Sequence, residues 1–256
     1  MVMFKHDGYC PICEKKVTFS AQNIWFRDSL LCSGCGSIPR ERALFEVIRN
    51  YYPNYRELSI HESSPANRGA SPKLKRECAA YSSSQYFPNV APGSIDAATG
   101  FRCENLEALT FADNSFDIFV TQDVMEHIFD YDKAFKEIAR VLKPGGAHIF
   151  SVPLINKNKK SECWASRNEA GEIVYHHEAE YHGNPVDAKG ALVTMHWGYD
   201  IARYISDTAK TPTTIIMIDD IDLGIRAEYI EILLSLKKCG LKEFLMASQI
   251  IQRSVA

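Results

Sequence analysis

Two cysteine pairs, Cys10-Pro-Ile-Cys13 and Cys32-Ser-Gly-Cys35, lie 18 residues apart near the amino end of the chain. In each Cys-x-x-Cys turn both thiolates fall on one side. Two such turns complete a tetrahedral four-sulfur shell of the kind that holds Zn²⁺. Four thiolates leave no open coordination position, so the chemistry expected there is structural rather than catalytic; free buried cysteines are the alternative. The remaining cysteines, Cys78, Cys103, Cys163 and Cys239, are scattered singly, which argues against a disulfide framework. A second concentration is of histidine. His176, His177, His182 and His196, four of the eight in the chain, stand among Tyr175, Tyr181 and Trp197. Imidazole titrates near neutrality and suits removal of a proton from an attacking hydroxyl, and His182 is the first candidate base. A metal held by His176, His177 and His182 fits no standard ligand spacing.

The elements that must position these groups follow from periodicity. Residues 1–37 read as a small ribbon, with Val17, Phe19, Ile24, Trp25 and Phe26 supplying short strands. Ser37 is a cap-type residue and Pro39 suits a first helical turn; Leu44, Val47, Ile48 and Tyr51 then make one apolar face before Pro53. For Arg40 and Arg42 on this helix, beside the ribbon, solvated charges are the expected outcome and facing a ligand the alternative. Strands are expected at 58–60, 78–84, near 99–103, at 116–121 and at 147–152, with helices at about 65–75 and from Asp130 to the Pro144-Gly-Gly146 stop. The run 116–121 has four apolar positions in six, as in a strand buried on both faces. Alternating strands and helices predict a doubly wound, mostly parallel α/β sheet with ligands at the carboxyl ends of its strands. The polar stretch 153–197 is too long for an ordinary loop and is expected to form a functional lid. A helix at about 198–209, a strand at about 213–219 and an apolar run at 228–235 complete the pattern. The domain reading is a ribbon unit over 1–37 and one α/β domain over 38–256.

The segment from Phe116-Asp-Ile-Phe-Val through Asp123-Val-Met-Glu126-His127 to Leu142-Lys-Pro-Gly-Gly146 resembles the second half of class I S-adenosylmethionine (SAM) dependent methyltransferases. The resemblance covers about 55–152 well and the rest of the sheet loosely. It implies a Rossmann-like sheet of seven strands, the last antiparallel, with SAM held by the loops after strands 1 to 4. Residues Glu62, Ser63 and Ser64 occupy the first loop, where the family carries glycines; here there are none. The amides of Ser63 and Ser64, at a strand-to-helix turn, suit a carboxylate. By the same resemblance Gln85, with Ser84, takes the ribose slot, and Asn105 with Leu106 the adenine slot. Both put an amide where the family has an acid, losing charge-assisted hydrogen bonding. Gln122, Asp123 and His127 would close over the adenine and sulfonium, His127 being the second catalytic candidate, and Asp117 is expected to be structural. Glu180-Tyr-His-Gly-Asn-Pro185 is similar to an element of bacterial methyltransferases that carry an amino-terminal cysteine ribbon and are associated with glycan modification. The acceptor so implied is an oxygen of a sugar or other small molecule.

Composition narrows the alternatives. The chain has 256 residues, 46% hydrophobic and 24% charged, with a net charge of −3, and so presents no global basic field. Residues 1–50 hold seven basic and five acidic side chains, a net of +2 that is weak for phosphate-dominated binding. An RNA-directed methyltransferase is therefore disfavoured. No apolar run reaches membrane-spanning length and the amino end lacks a signal-peptide pattern, so a cytoplasmic location is expected. No Gly-x-Gly-x-x-Gly follows any strand, which disfavours a nicotinamide-dependent oxidoreductase. The chief rival is a non-catalytic docking module, motivated by the missing glycines and the two amides.

Overall fold

The computed structural model describes residues 2–183 and 189–238. Three antiparallel strands open the chain: β1 (Phe4–Cys10), β2 (Lys15–Ala21) and, after the short helix α1 (Phe26–Ser29), β3 (Leu31–Cys32). Helix α2 (Pro39–Tyr51) leads to β4 (Ile60–Ser63), α3 (Ala70–Glu77), β5 (Tyr81–Gln85), β6 (Arg102–Cys103), β7 (Phe116–Gln122), α4 (Tyr131–Val141) and β8 (Leu142–Ser151). Six short strands follow: β9 (Glu162–Cys163), β10 (Ala165–Arg167), β11 (Ile173–Tyr175), β12 (Tyr181–His182), β13 (Ala191–Leu192) and β14 (Met195–His196). Helix α5 (Ile201–Ala209), β15 (Thr213–Ile216) and β16 (Ile232–Leu236) close the described chain.

The main sheet has seven strands in the order β6-β5-β4-β7-β8-β16-β15. From β6 to β8 every neighbour is parallel, and β16 runs antiparallel to both β8 and β15. The order reverses direction between β4 and β7, and at such a switch point the strands' carboxyl ends leave a crevice. This is the doubly wound, mostly parallel sheet that the sequence predicts, with the late antiparallel strand that the resemblance implies.

Two buried clusters cover its faces. One packs α2 residues Leu44, Phe45, Val47 and Ile48 and α3 residue Leu74 on Ile118, Val120, Ile149 and Ile232, and continues into the ribbon through Cys10, Ile12, Phe19 and Leu30. The other packs Phe135, Ile138 and Val141 of α4 and Ile201 and Ile205 of α5 on Phe119, Phe150 and Leu233, with Trp197 fully buried among them. The ribbon is latched to the segment before β16. Tyr9 donates its N–H to Asp222 O at 2.7 Å. Gly224 adopts φ +66, and a Cβ there would lie 2.6 Å from the Phe19 ring. Arg42, fully buried, donates from Nη2 to Gly224 O at 2.6 Å and to Leu30 O at 2.8 Å, so it is a structural bolt and not a solvated charge. Burial pushes its pKa down to about 10 against the pull of the cysteine sulfurs.

Several boundaries differ from expectation. The first strand starts at Ile60 and continues through Ser63, because His61, Glu62 and Ser63 are buried and aligned with β5 and β7. The following helix starts only at Ala70, with Gly69 before it at φ +69. A Cβ at Gly69 would lie 2.2 Å from Glu41 Oε2, so close approach of the chain, and not only its φ, requires glycine. Helix α2 is capped at Ile38, whose N–H donates to Glu41 Oε2 at 3.0 Å, and not at Ser37. Asp130 caps α4 as expected, accepting from the Lys133 N–H at 3.0 Å. That helix ends at Val141, three residues before Pro144, since the residues before a proline disfavour helix, and Leu142 already pairs with Phe116. Asp117 is structural: it accepts from Ser59 N–H and from Lys143 Nζ, both at 2.8 Å. Among the described residues no helix is long and apolar enough to cross a membrane.

Two core histidines make the fold acid-sensitive. Burial, with help from Arg102, pushes His61 down to about 3; burial alone does the same to His148. Both stay neutral, His61 between Ser82 Oγ and Ser84 Oγ and His148 beside Thr121 Oγ1. The unfolded chain takes up these protons near the ordinary imidazole pKa of about 6.5, so their contribution is intact above that pH. It falls progressively as pH drops toward 3, by about 1.4 kcal/mol per pH unit for each histidine. Thermal melts between pH 7 and 4 should show a falling Tm, and His148→Gln should flatten that dependence; an unchanged slope would remove His148 as a cause.

Candidate functional site

The carboxyl ends of β4, β5 and β7 open into one cleft of about 1380 Å³. Single-ligand pockets run to roughly 300–1,000 Å³, so this cleft has room for two molecules side by side. Ser64, Pro65 and Ala66 line it after β4, Gln85 to Val90 after β5, and Gln122, Asp123 and Val124 after β7. The ribbon side adds Trp25, Arg27, Asp28 and Arg40, and the insertion adds Glu180, His182 and Leu192.

Beneath the first loop lies a fully buried carboxylate. Glu62 accepts from Ser71 Oγ and Tyr81 Oη, both at 2.7 Å, and from Gln122 Nε2 at 2.9 Å. Burial raises its pKa despite these three bonds. Glu62 thus ties β4, α3, β5 and β7 together under the cleft and does not line it. Ser63 is buried in the strand, and Ser84 Oγ is occupied by His61 Nε2 at 2.9 Å. Asn105 accepts the N–H of Glu107 at 2.9 Å, shaping its own loop, and Leu106 is buried in the core. These five lie outside the cleft, while Ser64, Gln85, Gln122, Asp123, His127 and His182 line it. The Ser64 amide is not at a helix start; it donates to Ser84 O at 2.8 Å.

Both loops that flank the switch point carry a strained residue. Ser64 has φ +58 and Asp123 φ +51, a left-handed conformation that non-glycine residues seldom adopt. Ser64 therefore makes, without glycine, the kind of turn glycine usually supplies. At Asp123 the turn is held electrostatically. Its carboxylate receives Arg27 Nη2 at 2.5 Å, Arg40 Nη1 at 3.0 Å and Ser151 Oγ at 2.8 Å. Burial would raise its pKa, but Arg40 and Arg27 outweigh it and hold the group below the ordinary carboxylate range. Arg27 also donates to Tyr229 O at 3.1 Å, and the Trp25 and Tyr229 rings lie 6.2 Å apart at the cleft wall. Charged residues on an amino-terminal unit gave no sequence signal that they would reach across to Asp123.

At the far end, Glu126, His127 and His182 converge. His127 Nδ1 lies 2.9 Å from Leu192 O, and His182 Nε2 lies 3.1 Å from Glu180 Oε1. Glu180 also meets His196 Nε2 at 3.0 Å, and Trp164 stacks between His196 and His177 with ring centroids 3.8 and 4.0 Å away. Thr194 fastens the insertion by donating its N–H to Glu126 O at 2.7 Å. The Glu126 carboxylate, then Glu180, raise the His182 imidazole above its ordinary value against burial. Residues 184 and 185 of the Glu180–Pro185 element lie outside the described residues.

The four sulfurs of Cys10, Cys13, Cys32 and Cys35 lie within 4.8 Å of one another. Cys10–Cys35 and Cys13–Cys32 are each 3.7 Å apart. A tetrahedral shell with ligands at about 2.3 Å has edges of roughly 3.8 Å, so the cluster fits Zn²⁺. Gly34 closes the cradle: its N–H donates to Cys32 Sγ at 3.3 Å, and a Cβ would lie 3.1 Å from Cys13 Sγ.

Comparison with known proteins locates the family signal in the middle of the sheet. Residues 71–150 match the methyltransferase domain family. The chain is 32% identical over 127 residues to the ubiquinone/menaquinone biosynthesis C-methyltransferase UbiE of Hydrogenovibrio crunogenus, covering 44% of this chain and 48% of that protein. It is 30% identical over 82 residues to the ubiquinone biosynthesis O-methyltransferase of Parvibaculum lavamentivorans, covering 30% and 32%. It is also 32% identical over 81 residues to the glycine/sarcosine/dimethylglycine N-methyltransferase of Actinopolyspora halophila, covering 32% and 13%. The matched region thus spans less than half the length of these relatives, whose names specify carbon, oxygen and nitrogen acceptors. Among solved structures, a SAM-dependent methyltransferase from Mesorhizobium loti aligns with a TM-score of 0.47 at 16% identity, covering 77% of this chain and 98% of that one.

The arginine clamp on Asp123 yields a stability test. Arg27→Ala leaves the buried carboxylate with one guanidinium, and chemical denaturation should show a loss of about 2 kcal/mol. The double variant with Asp123→Asn should recover part of that loss; equal stability of the wild type and Arg27→Ala would contradict the clamp.

Proposed function

We propose that this protein is a SAM-dependent methyltransferase whose acceptor atom is an oxygen of a sugar or other small molecule. The supporting observation is the cleft itself. It lies at the switch point of a seven-stranded sheet with one late antiparallel strand, between strained loops at Ser64 and Asp123, and is large enough for a cofactor and an acceptor. When bound, SAM supplies an activated methyl group on a positively charged sulfur.

The chain's own residues divide the remaining work. The β4 and β5 loops, with Ser64 and Gln85, hold the cofactor, and Gln122 and the Asp123 turn form the floor beneath it. Glu62, Ser84, Asn105 and Leu106 act indirectly, by fixing the loops that do touch it, and Ser63 as part of the buried strand. Trp25, Arg27, Arg40 and Tyr229 make the wall against which a polar ring or chain would lie, and an aromatic face beside guanidinium groups suits a sugar. The acceptor hydroxyl sits near Glu126, His127 and His182, where His182 is placed to take its proton while the insertion excludes water. The four cysteines hold a structural Zn²⁺, which keeps α1 and its Arg27 in position.

Calorimetry with S-adenosylhomocysteine tests the cofactor half of this reading: one equivalent should bind the wild type. His182→Ala should bind it equally well, yet lose about 10²-fold or more in turnover of a methylated acceptor. No heat with millimolar ligand would instead favour a docking module that has lost its cofactor.

A further inference from the structure

The Glu126, His127 and His182 cluster has a feature that proton transfer alone does not explain. Glu126 is 2% exposed, and neither of its carboxylate oxygens makes a hydrogen bond. Its Oε1 lies 3.8 Å from His127 Nε2 and 3.8 Å from His182 Nδ1. All three ligand atoms fall within 4.8 Å of one another. Each imidazole points its other nitrogen at an acceptor, His127 Nδ1 at Leu192 O and His182 Nε2 at Glu180. A ring nitrogen beside a carbonyl or carboxylate carries the hydrogen, which leaves the opposite nitrogen with a bare lone pair. With both imidazoles neutral, three lone-pair donors converge, one being a buried anion, and either a proton on His182 or a metal ion fills the space between them. Such an arrangement repels itself unless a cation occupies its centre.

We propose that Glu126, His127 and His182 form a binding site for a divalent first-row transition-metal ion, distinct from the four-cysteine cluster. Two imidazoles and one carboxylate on one side of an ion are a recognised donor set for such metals, and they leave positions open on the other side. The hydrogen bonds to Leu192 O and Glu180 are the outer partners that metal-bound imidazoles ordinarily have. His196, bonded to the second oxygen of Glu180, holds that carboxylate in place. The 3.8 Å edges exceed the roughly 3.0–3.4 Å edges of a shell with ligands at about 2.1 Å. His182, a third exposed at the end of the short β12, has the freedom to close that gap.

The open positions face the cleft, since His127 and His182 both line it. A bound acceptor oxygen would there be polarised by the ion, with His182 serving as a ligand in place of its role as base. That use of the site rests on the methyl-transfer reading; the site itself does not.

The test uses protein loaded with one equivalent of Zn²⁺ per chain and freed of excess, which the four thiolates take first, so that a second, harder ion reports on the second site. Titration with Mn²⁺, followed by electron paramagnetic resonance, should show one bound equivalent in the wild type. Glu126→Gln and His182→Ala should each weaken it at least tenfold, while Cys163→Ser should leave it unchanged. Glu126→Gln keeps the shape of the side chain, and so keeps the result readable if His182→Ala folds poorly. Absence of bound Mn²⁺, with Co²⁺ also giving no absorbance beyond that of the cysteine cluster, would overturn the proposal and leave an imidazolium–carboxylate pair. Equal binding by wild type and both variants would overturn it too. Binding of S-adenosylhomocysteine to the same samples separates the two claims: lost cofactor binding with Mn²⁺ retained would sink the methyltransferase reading alone.

Discussion

The pairing of Asp123 with Arg27 and Arg40 is the constraint on which the site depends. Asp123 ends the central strand in a left-handed turn, where a carboxylate with two guanidiniums is better placed than an uncharged side chain to offset the strain. The arginines come from α1 and α2, whose positions are set in turn by the cysteine cluster and by Arg42 beneath it. The amino-terminal unit is thus more than an appendage. It shares the buried core of the sheet and supplies one wall of the cleft. Loss of the cysteine geometry would propagate to the floor of the site through these few contacts.

A second constraint explains how the cleft forms without the expected glycines. Glycine at the first turn would allow positive φ at no cost. Here Ser64 takes that conformation, and the turn is secured by the Ser64 N–H bond to Ser84 and by the Glu62 network below it. The carboxylate that looks from its position like a ligand group is an internal brace. Its three donors come from α3, β5 and β7, so it fixes the spacing of the elements whose loops meet at the cleft.

The parts legible in the sequence are those written in local patterns. The β7–α4–β8 unit shows as an apolar run, an Asp130 cap and a Pro-Gly-Gly stop; the cysteine cluster shows in its spacing. Helix α2 is readable from Pro39, although Glu41 supplies its cap through the Ile38 amide. What the sequence does not display is non-local. Nothing near Gly224 announces that it faces Phe19 and receives Arg42, and nothing near Arg27 announces Asp123, because both partners are far along the chain. Asn105 is a related case: the family resemblance implies a ligand group, whereas its side chain closes a local turn. The histidine-rich insertion is visible in the sequence, but its order comes from Trp164 stacking and Thr194 anchoring that only the fold displays.

The central claim is that one cleft, walled jointly by the ribbon and the sheet, holds the cofactor beside the Glu126–His182 end. A crystal structure grown with S-adenosylhomocysteine tests it most directly. The account predicts the ligand between Ser64 and Gln85, above the Asp123 turn, with its sulfur turned toward Glu126 and His182. Ligand bound elsewhere, or a closed and unliganded cleft at saturating concentration, would contradict it.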